Sequence, residues 1–322
     1  MSAGLRIPDA AAGARVLAFG DYRPARVVTN AELAETVETD DAWIRSRVGI
    51  QERRIAADDE GIVELGVHAG GKALANSGLS PSDIDLVILA TCSAESPMPG
   101  HAAQVAHRLG IDAPGAFDLN AACAGFCYAL ATASAAVRAG SARSVLVVGS
   151  EKMSQWVDWT DRSTCIIFAD GAGAAVVTGS DAPGIGPVVW GSAGDKYDKI
   201  IIPDRNSSVR QEGQAVFRWA TTAIAPVAAE ACERAGVAPQ DLAAVVPHQA
   251  NLRIIEAIAR KLKATNAVVA DDIVHSGNTS AASIPLAMSR MIERGDVPSG
   301  APALLVGFGA GLSYAAQVIQ IP

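Results

Sequence analysis

The feature that most constrains the fold is a repeat in which the same order of elements occurs twice. The segment Gly78-Leu-Ser-Pro-Ser-Asp-Ile84 follows an alanine-rich helical pattern and leads into an apolar strand, and Gly236-Val-Ala-Pro-Gln-Asp-Leu242 does the same 158 positions later. The apolar runs 144–149 and 303–307 also end on glycines that are 158 positions apart. Two matching offsets with one order of helix, glycine and strand favour a duplicated α/β unit.

The strands of both predicted units are continuous apolar runs, at 85–90 and 144–149 in the first half and at 242–246 and 303–307 in the second. Such runs are typical of strands buried on both faces of a sheet. Their alternation with helical patterns predicts βαβ units and mostly parallel sheets.

A Pro/Gly-rich stretch at 180–186 separates the halves, so we place the two domains at residues 1–183 and 184–322. The most polar stretch, 194–214, predicts a long surface excursion. The uncharged segment 301–322 is interrupted by glycines, and it predicts two buried strands joined by a glycine turn rather than a membrane span.

Composition excludes several classes of protein. Half of the residues are hydrophobic and only 19% are charged, so the chain buries a large core and is not disordered. The net charge of −8 argues against nucleic acid as a partner. Five scattered cysteines without a Cys-x-x-Cys pair predict free thiols in a reducing, cytoplasmic setting. Residues 1–15 contain no long apolar run, so we expect no signal peptide.

Cys123 is the candidate nucleophile. It lies between a predicted strand end at 117–119 and a predicted helix at 124–137. The positive end of a helix dipole stabilises a thiolate, so this position predicts a reactive thiol with a lowered pKa. A buried structural cysteine is the alternative for Cys123. We assign that structural role to the other four cysteines, Cys92, Cys127, Cys165 and Cys232.

The repeat also suggests a partner for Cys123. Counting back 17 residues from the helix-ending glycines Gly140 and Gly295 leads to Cys123 and Asn278. We therefore predict that these two residues occupy equivalent helix starts, which face each other if the halves pack symmetrically. A plain N-cap is the alternative for Asn278.

His248 ends an apolar strand and precedes a predicted helix at 251–262. A histidine at a strand end reaches a shared cleft, where a neutral imidazole donates a hydrogen bond to a carbonyl oxygen. The chain has no clustered Cys/His spacing typical of a metal site and no Gly-x-Ser-x-Gly elbow.

Four motifs together closely resemble β-ketoacyl-acyl-carrier-protein synthase III, a thiolase-fold condensing enzyme of fatty acid synthesis. They are Ala121-Ala-Cys123-Ala-Gly-Phe126, Pro247-His-Gln-Ala-Asn-Leu-Arg253, Gly277-Asn-Thr-Ser-Ala-Ala-Ser283 and Gly307-Phe-Gly-Ala-Gly311. The resemblance implies a five-layered αβαβα fold with two pseudo-symmetric halves, and a homodimer. A priming ketosynthase of an aromatic polyketide pathway is the nearest alternative, and an acyltransferase or binding protein without condensing activity is another.

The resemblance also implies a reaction that needs no metal or redox cofactor. Cys123 takes an acyl group from acyl-CoA, and the backbone N–H groups of Cys123 and Ala310 form an oxyanion hole. Malonyl-acyl-carrier protein then enters. His248 and Asn278 hydrogen-bond its thioester carbonyl and stabilise the enolate that remains after decarboxylation.

The binding residues follow from the same resemblance. The residues expected to bind CoA are Thr39, Trp43, Arg47, Arg162, Gly213, Asn251 and Arg253, with Trp43 and Arg162 on the two faces of the adenine. Those expected to dock the acidic carrier protein are Arg218, Arg253, Arg260 and Lys261. Met98 and Phe308 are expected to line the acyl pocket, Met98 often across a dimer interface, and to favour short straight or branched acyl groups.

Overall fold

A computed structural model describes residues 11–322. The expectation about a signal peptide rests largely on residues 1–10, which lie outside this range. The main strands are β1 (Gly13–Tyr22), β2 (Arg26–Thr29), β3 (Glu52–Ile55), β4 (Leu86–Ala90), β5 (Gly115–Leu119), β6 (Ser144–Lys152), β7 (Asp170–Ser180), β8 (Val189–Ser192), β9 (Ile200–Ile201), β10 (Arg210–Gln211), β11 (Ala244–Pro247), β12 (Val268–Val269), β13 (Pro302–Gly309) and β14 (Ser313–Gln320). The α-helices are α1 (Asn30–Ala34), α2 (Asp41–Val48), α3 (Ile62–Ser77), α4 (Ala102–Arg108), α5 (Gly125–Arg138), α6 (Arg162–Cys165), α7 (Gly213–Ala235), α8 (Leu252–Leu262), α9 (Ile273–Ser276) and α10 (Ser283–Glu293).

Two five-stranded sheets have the same topology. The first has the strand order β1-β7-β6-β4-β5 and the second β8-β14-β13-β11-β12. In the first sheet β4 runs parallel to β5 and β6, while β7 is antiparallel to β6 and β1. The second sheet repeats each of these relations. The identical order and direction of the strands confirm that the α/β unit is duplicated.

The prediction of mostly parallel sheets is wrong for the pairings that involve β7 in the first sheet and β14 in the second, which are antiparallel. Each sheet combines two parallel pairings with two antiparallel ones. The antiparallel pairing arises because β13 is joined to β14 by a short turn at Ala310–Leu312 instead of a crossover helix. Parallel and antiparallel strands that are buried on both faces have the same apolar composition, so the sequence does not show in which direction each strand runs.

Three layers of helices complete the fold. Helices α5 and α10 pack between the sheets in one continuous apolar cluster. Helices α3 and α4 cover the outer face of the first sheet, and α7 and α8 cover the outer face of the second. The predicted five-layered, pseudo-symmetric fold is therefore confirmed. Among residues 11–322, no helix combines the length and apolar character that a membrane crossing requires.

The strands of the first sheet end at Ser180, and those of the second begin at Val189. Stretch 194–214 runs over the surface as a 3-10 turn at Gly194–Lys199 followed by the small hairpin of β9 and β10. Strands β2 and β3 form a second small hairpin.

The predicted equivalence of Cys123 and Asn278 is wrong by three residues. Ala122 and Ser280, which are 158 positions apart, both have left-handed backbone with φ of 46° and 49°, and each begins a 3-10 turn that leads into a central helix. Asn120 and Asn278 are also equivalent, since each side chain accepts a hydrogen bond from the backbone N–H two residues later. The error arises because α10 has 11 residues and α5 has 14, so counting back from the terminal glycines shifts the register.

Candidate active site

Cys123 lies in the 3-10 turn between β5 and α5, where it is buried. The end of β13 packs directly against it, because a Cβ atom added at Gly309 would lie 2.7 Å from the Cβ atom of Cys123 and 3.0 Å from its sulfur. The backbone N–H groups of Cys123 and Ala310 donate towards this sulfur. These are the two N–H groups that the sequence resemblance assigned to an oxyanion hole.

Burial dominates the protonation of Cys123. It raises the pKa of the thiol to about 12, while hydrogen bonds from the Ser280 side chain and from the two backbone N–H groups act in the opposite direction. The prediction of a lowered pKa is therefore wrong for the isolated chain. The helix start supplies its donors, but removal from water outweighs them, so Cys123 is a thiol at neutral pH.

His248 follows β11 and is 2% exposed. Its Nδ1 atom lies 2.8 Å from the hydroxyl oxygen of Ser283, and its ring meets the Phe308 ring edge-on at a centroid distance of 5.4 Å. Burial lowers the pKa of His248 to about 3. The imidazole is consequently neutral at physiological pH and available as a hydrogen-bond donor.

Asn278 is held on both sides of its backbone. Its N–H donates to the carbonyl of Ile167, and its own carbonyl accepts from the N–H of Ala169, both at 2.9 Å. The side-chain Oδ1 atom accepts from the N–H of Ser280 at 2.9 Å. With the oxygen occupied, the Nδ2 amide is the end of the side chain that remains to donate into the cavity.

One cavity of about 590 Å³ brings Cys123, His248 and Asn278 together. Its walls also contain the predicted ligand-binding residues Trp43, Arg47, Gly213, Arg218, Asn251, Arg253 and Phe308. The three predicted catalytic residues are buried, whereas Arg47, Gly213 and Arg253 are exposed. The cavity therefore leads from a positively charged opening to the buried thiol.

Trp43 contacts two arginines near this opening. The guanidinium carbon of Arg162 lies 4.7 Å from the Trp43 ring centroid, and that of Arg47 lies 5.6 Å away. Arg162 also donates to the carbonyl of Glu38 at 2.7 Å. Because the Arg162 guanidinium packs directly on the Trp43 indole, the two side chains leave no space between them for the predicted adenine ring.

Helix α8 carries Arg253 at the opening, and Arg260 and Lys261 in its last turn. Asn251 caps it by accepting from the N–H of Arg253 at 2.9 Å, and its amide donates to the carbonyl of Arg47 at 3.0 Å. The Arg253 guanidinium lies over the ring of Phe217 at 5.2 Å. The predicted docking residues Arg218, Arg253, Arg260 and Lys261 are all exposed.

Four predicted residues of the CoA site, the oxyanion hole and the acyl pocket do not line the cavity, namely Thr39, Arg162, Ala310 and Met98. Met98 is 84% exposed in the loop between β4 and α4, so its predicted place in an acyl pocket across a dimer interface stays a prediction.

Four residues of the site were missed. Phe217 supports Arg253, Gly309 packs on Cys123, and Ser283 contacts His248. Glu151 is a fully buried carboxylate that accepts hydrogen bonds from the Ser93 hydroxyl and from the N–H of Ala281. Ser283 and Gly309 lie within motifs that the sequence had already marked, whereas Phe217 and Glu151 carried no local signal.

All five cysteines are free thiols. Residues 11–322 hold no group of three or more His, Cys, Asp and Glu side chains arranged to bind a metal ion.

Comparisons with known proteins agree over nearly the whole chain. Residues 117–194 match the family described as 3-oxoacyl-[acyl-carrier-protein (ACP)] synthase III, and residues 232–321 match its C-terminal part. The chain is 58% identical to β-ketoacyl-[acyl-carrier-protein] synthase III 4 of Streptomyces coelicolor, over 96% of this chain and 99% of that protein.

Solved structures give the same result. The priming β-ketosynthase of the R1128 polyketide biosynthetic pathway superposes with a TM-score of 0.96 at 45% identity, over 99% of both chains. The 3-oxoacyl-[acyl-carrier-protein] synthase III of Aquifex aeolicus superposes with a TM-score of 0.91 at 40% identity, over 96% of this chain and 100% of that one.

Proposed function

Because the chain belongs to the 3-oxoacyl-[acyl-carrier-protein] synthase III family of condensing acyltransferases, we propose that Cys123, His248 and Asn278 carry out its reaction. The enzyme condenses an acyl-CoA with malonyl-acyl-carrier protein in fatty acid synthesis. The observation that carries our assignment of residues is the single cavity in which a buried thiol faces a neutral imidazole and a side-chain amide.

In the first step the sulfur of Cys123 attacks the acyl-CoA carbonyl carbon. A new carbon–sulfur bond forms, the bond to CoA breaks, and the thiol proton leaves with CoA. The N–H groups of Cys123 and Ala310 stabilise the developing oxyanion. They already donate towards the sulfur, so the donors are in place before the substrate arrives.

In the second step the malonyl group loses CO₂, and the electron pair of the broken carbon–carbon bond becomes an enolate. His248 and Asn278 donate hydrogen bonds to the enolate oxygen. The carbanion attacks the acyl-Cys123 thioester to form 3-oxoacyl-carrier protein, and the released thiolate takes up a proton. The thioesters of the substrates supply the leaving groups, so this scheme requires no metal or redox cofactor.

The CoA and carrier-protein sites belong to the same proposal. The cavity wall supports Trp43, Arg47, Gly213, Asn251 and Arg253 as the CoA contacts. Arg162 joins them by moving off the Trp43 ring to admit the adenine, and Thr39 lies nearby. The exposed cations Arg218, Arg253, Arg260 and Lys261 attract the acidic carrier protein.

We also propose a homodimer joined at β5. This strand is the edge of the first sheet, and Phe117 on it is 40% exposed. An unpaired strand edge favours pairing with a second copy, which would bring Met98 towards the acyl pocket of the partner. A Phe117→Lys variant that remains a dimer in light scattering would contradict this arrangement.

The priming step of a polyketide pathway is the second candidate function, favoured by the likeness to the R1128 priming ketosynthase. The two functions share their chemistry and differ in the carrier protein. Condensation rates measured with carrier proteins of both kinds distinguish them. In either case a reducing compartment, the cytoplasm, keeps the nucleophile a free thiol.

Mass spectrometry tests the assignment of Cys123. Incubation with a four-carbon acyl-CoA should add one acyl group to the protein, and Cys123→Ala should remove this addition. Cys232→Ala is the matched control, since that buried thiol lies on α7 and does not line the cavity. Acylation of Cys123→Ala at the wild-type rate would refute the assignment, and a preference for dodecanoyl-CoA would refute the short acyl pocket.

A further inference from the structure

We propose that Ser283 is a positioning residue that holds the imidazole of His248 in the tautomer with its hydrogen on Nε2, and that Gln249 fixes this pair relative to Asn278. The inference rests on the proposed function, since it concerns the donor that meets the enolate.

The hydrogen bonds around Ser283 determine the tautomer. The backbone N–H of Gln249 donates to the Ser283 hydroxyl oxygen at 3.3 Å, and Nδ1 of His248 lies 2.8 Å from the same oxygen. Within residues 11–322, Nδ1 is the acceptor that the structure offers to the Ser283 hydroxyl hydrogen. If Nδ1 carried a hydrogen, Ser283 would receive two donors and its own hydrogen would stay unpaired.

An unpaired hydroxyl hydrogen is unfavourable at this position because Ser283 is 2% exposed. A buried donor without a partner loses its hydrogen bonds to water and gains none in return. Ser283 therefore donates to Nδ1. The neutral ring then carries its only hydrogen on Nε2, the nitrogen opposite Ser283.

Packing prevents the ring from escaping this arrangement. The edge-on contact with Phe308 and the 2% exposure of His248 leave little room for rotation or for water. His248 lines the catalytic cavity. A hydrogen on Nε2 makes the ring a donor there, whereas the other tautomer would direct a lone pair at the enolate oxygen and repel it.

Gln249 connects this pair to Asn278. It is 1% exposed, and its amide donates to the carbonyls of Pro247 at 2.7 Å and Ala270 at 3.3 Å. Its Oε1 atom accepts from the N–H of Ile273, the first residue of α9, at 3.0 Å. Helix α9 leads directly through Gly277 to Asn278, so one buried amide sets the spacing between the two proposed donors.

This arrangement predicts which half of the reaction depends on Ser283. Acylation of Cys123 uses backbone N–H donors and needs no hydrogen on Nε2. Decarboxylation of the malonyl group needs that hydrogen. Loss of the Ser283 hydroxyl should therefore slow CO₂ release and leave acylation nearly unchanged.

The test combines ¹⁵N NMR of histidine-labelled protein with two half-reaction assays. The His248 signals, assigned by their absence in His248→Asn, should show hydrogen on Nε2 in the wild type and a mixture of tautomers in Ser283→Ala. Ser283→Ala should release CO₂ at least about tenfold more slowly, because a wrong tautomer is severe for a catalytic imidazole, while its acylation rate stays within about twofold. Ser283→Thr retains the hydroxyl and should recover CO₂ release.

Ser289→Ala is the matched control. Ser289 is a second buried serine of α10, whose hydroxyl donates to Asp21 at 2.8 Å, away from His248. It should change neither the tautomer nor the ratio of the two rates. Hydrogen on Nδ1 in the wild type, or an unchanged tautomer in Ser283→Ala, would overturn the inference. The NMR result stands even if the wild type fails to condense its substrates, so a failure of the proposed function is recognised separately.

Discussion

Cys123 and His248 are both uncharged at neutral pH, and for the same reason. Burial raises the pKa of the thiol to about 12 and lowers that of the imidazole to about 3. The site therefore begins its reaction as a thiol beside a neutral imidazole, not as a thiolate–imidazolium pair. This state suits the second step, in which His248 donates a hydrogen bond to the enolate oxygen without itself carrying a charge.

The depressed pKa of His248 makes stability depend on pH. The unfolded chain binds a proton on this histidine below about 6.5, whereas the folded chain resists protonation until about 3. The free energy of unfolding is therefore unaffected by this histidine above pH 6.5. It decreases as the pH falls towards 3, because only the unfolded chain binds the proton in that range. At pH 4 the loss amounts to roughly 3 kcal/mol. Urea unfolding at pH 7 and pH 4 should show wild type losing that much more stability than His248→Asn, and equal losses would contradict the pKa.

Gly309 should be irreplaceable for acylation. Its φ of 177° is extended backbone that alanine adopts, so only space matters. The new Cβ atom would lie 2.7 Å from the Cβ atom of Cys123 and displace the nucleophile. A displacement of about 1 Å slows a reaction roughly a hundredfold. Mass spectrometry should show this loss for Gly309→Ala and none for Gly194→Ala, whose added methyl meets nothing within 4 Å. Wild-type acylation of Gly309→Ala would refute the argument.

At the scale of the elements, local sequence predicts more than long-range geometry. The turn that carries Cys123 was predictable because a strand, small residues and a helix follow one another along the chain. The position of His248 at the end of β11 was predictable for the same reason. The contacts of Ser283 with His248 and of Phe217 with Arg253 join distant segments. No periodicity records such contacts, and unequal helix lengths misled the comparison of Cys123 with Asn278.

Asn251 links the cap of α8 to the CoA opening, so its two roles should be separable. Asn251→Ala removes the acceptor for the N–H of Arg253 and should lower the free energy of unfolding by about 1 kcal/mol. Asn251→Asp keeps this acceptor but cannot donate to the carbonyl of Arg47. We therefore expect both variants to raise the KM for acyl-CoA, and only Asn251→Ala to be destabilised. Equal stability of the two variants in denaturant titrations would show that the cap contributes nothing.

At the scale of the whole molecule, the duplication has produced two equivalent helix starts. A carboxylate of the chain contacts the backbone donor at one of them, and the other opens into the cavity. Glu151 and Gly309 are 158 positions apart at the ends of β6 and β13. Glu151 fills its site, since its carboxylate accepts from the N–H of Ala281, the residue equivalent to Cys123, at 3.2 Å. Gly309 leaves the other site open to the cavity. The chain's own carboxylate thus occupies one copy of the donor site, and only the other copy remains for a substrate.

Each half of the molecule also supports the reactive turn of the other half. A Cβ atom at Gly149 in β6 would lie 2.6 Å from the carbonyl oxygen of Ala281, and one at the equivalent Gly307 in β13 would lie 2.9 Å from the Cα atom of Ala124. The first contact bears on the turn that follows Asn278, and the second on the turn that carries Cys123.

Gly149→Ala and Gly307→Ala should therefore impair different half-reactions. Both variants overpack the interior and should lose roughly 1–3 kcal/mol of stability, which denaturant titration measures. Gly149→Ala should slow CO₂ release from malonyl-carrier protein more than it slows acylation, because it displaces the Asn278 side of the cavity. Gly307→Ala should show the reverse order, because it displaces the Cys123 side. If both variants lost the same half-reaction, the two halves would not be supporting each other's turns, and the active site would depend on the second sheet alone.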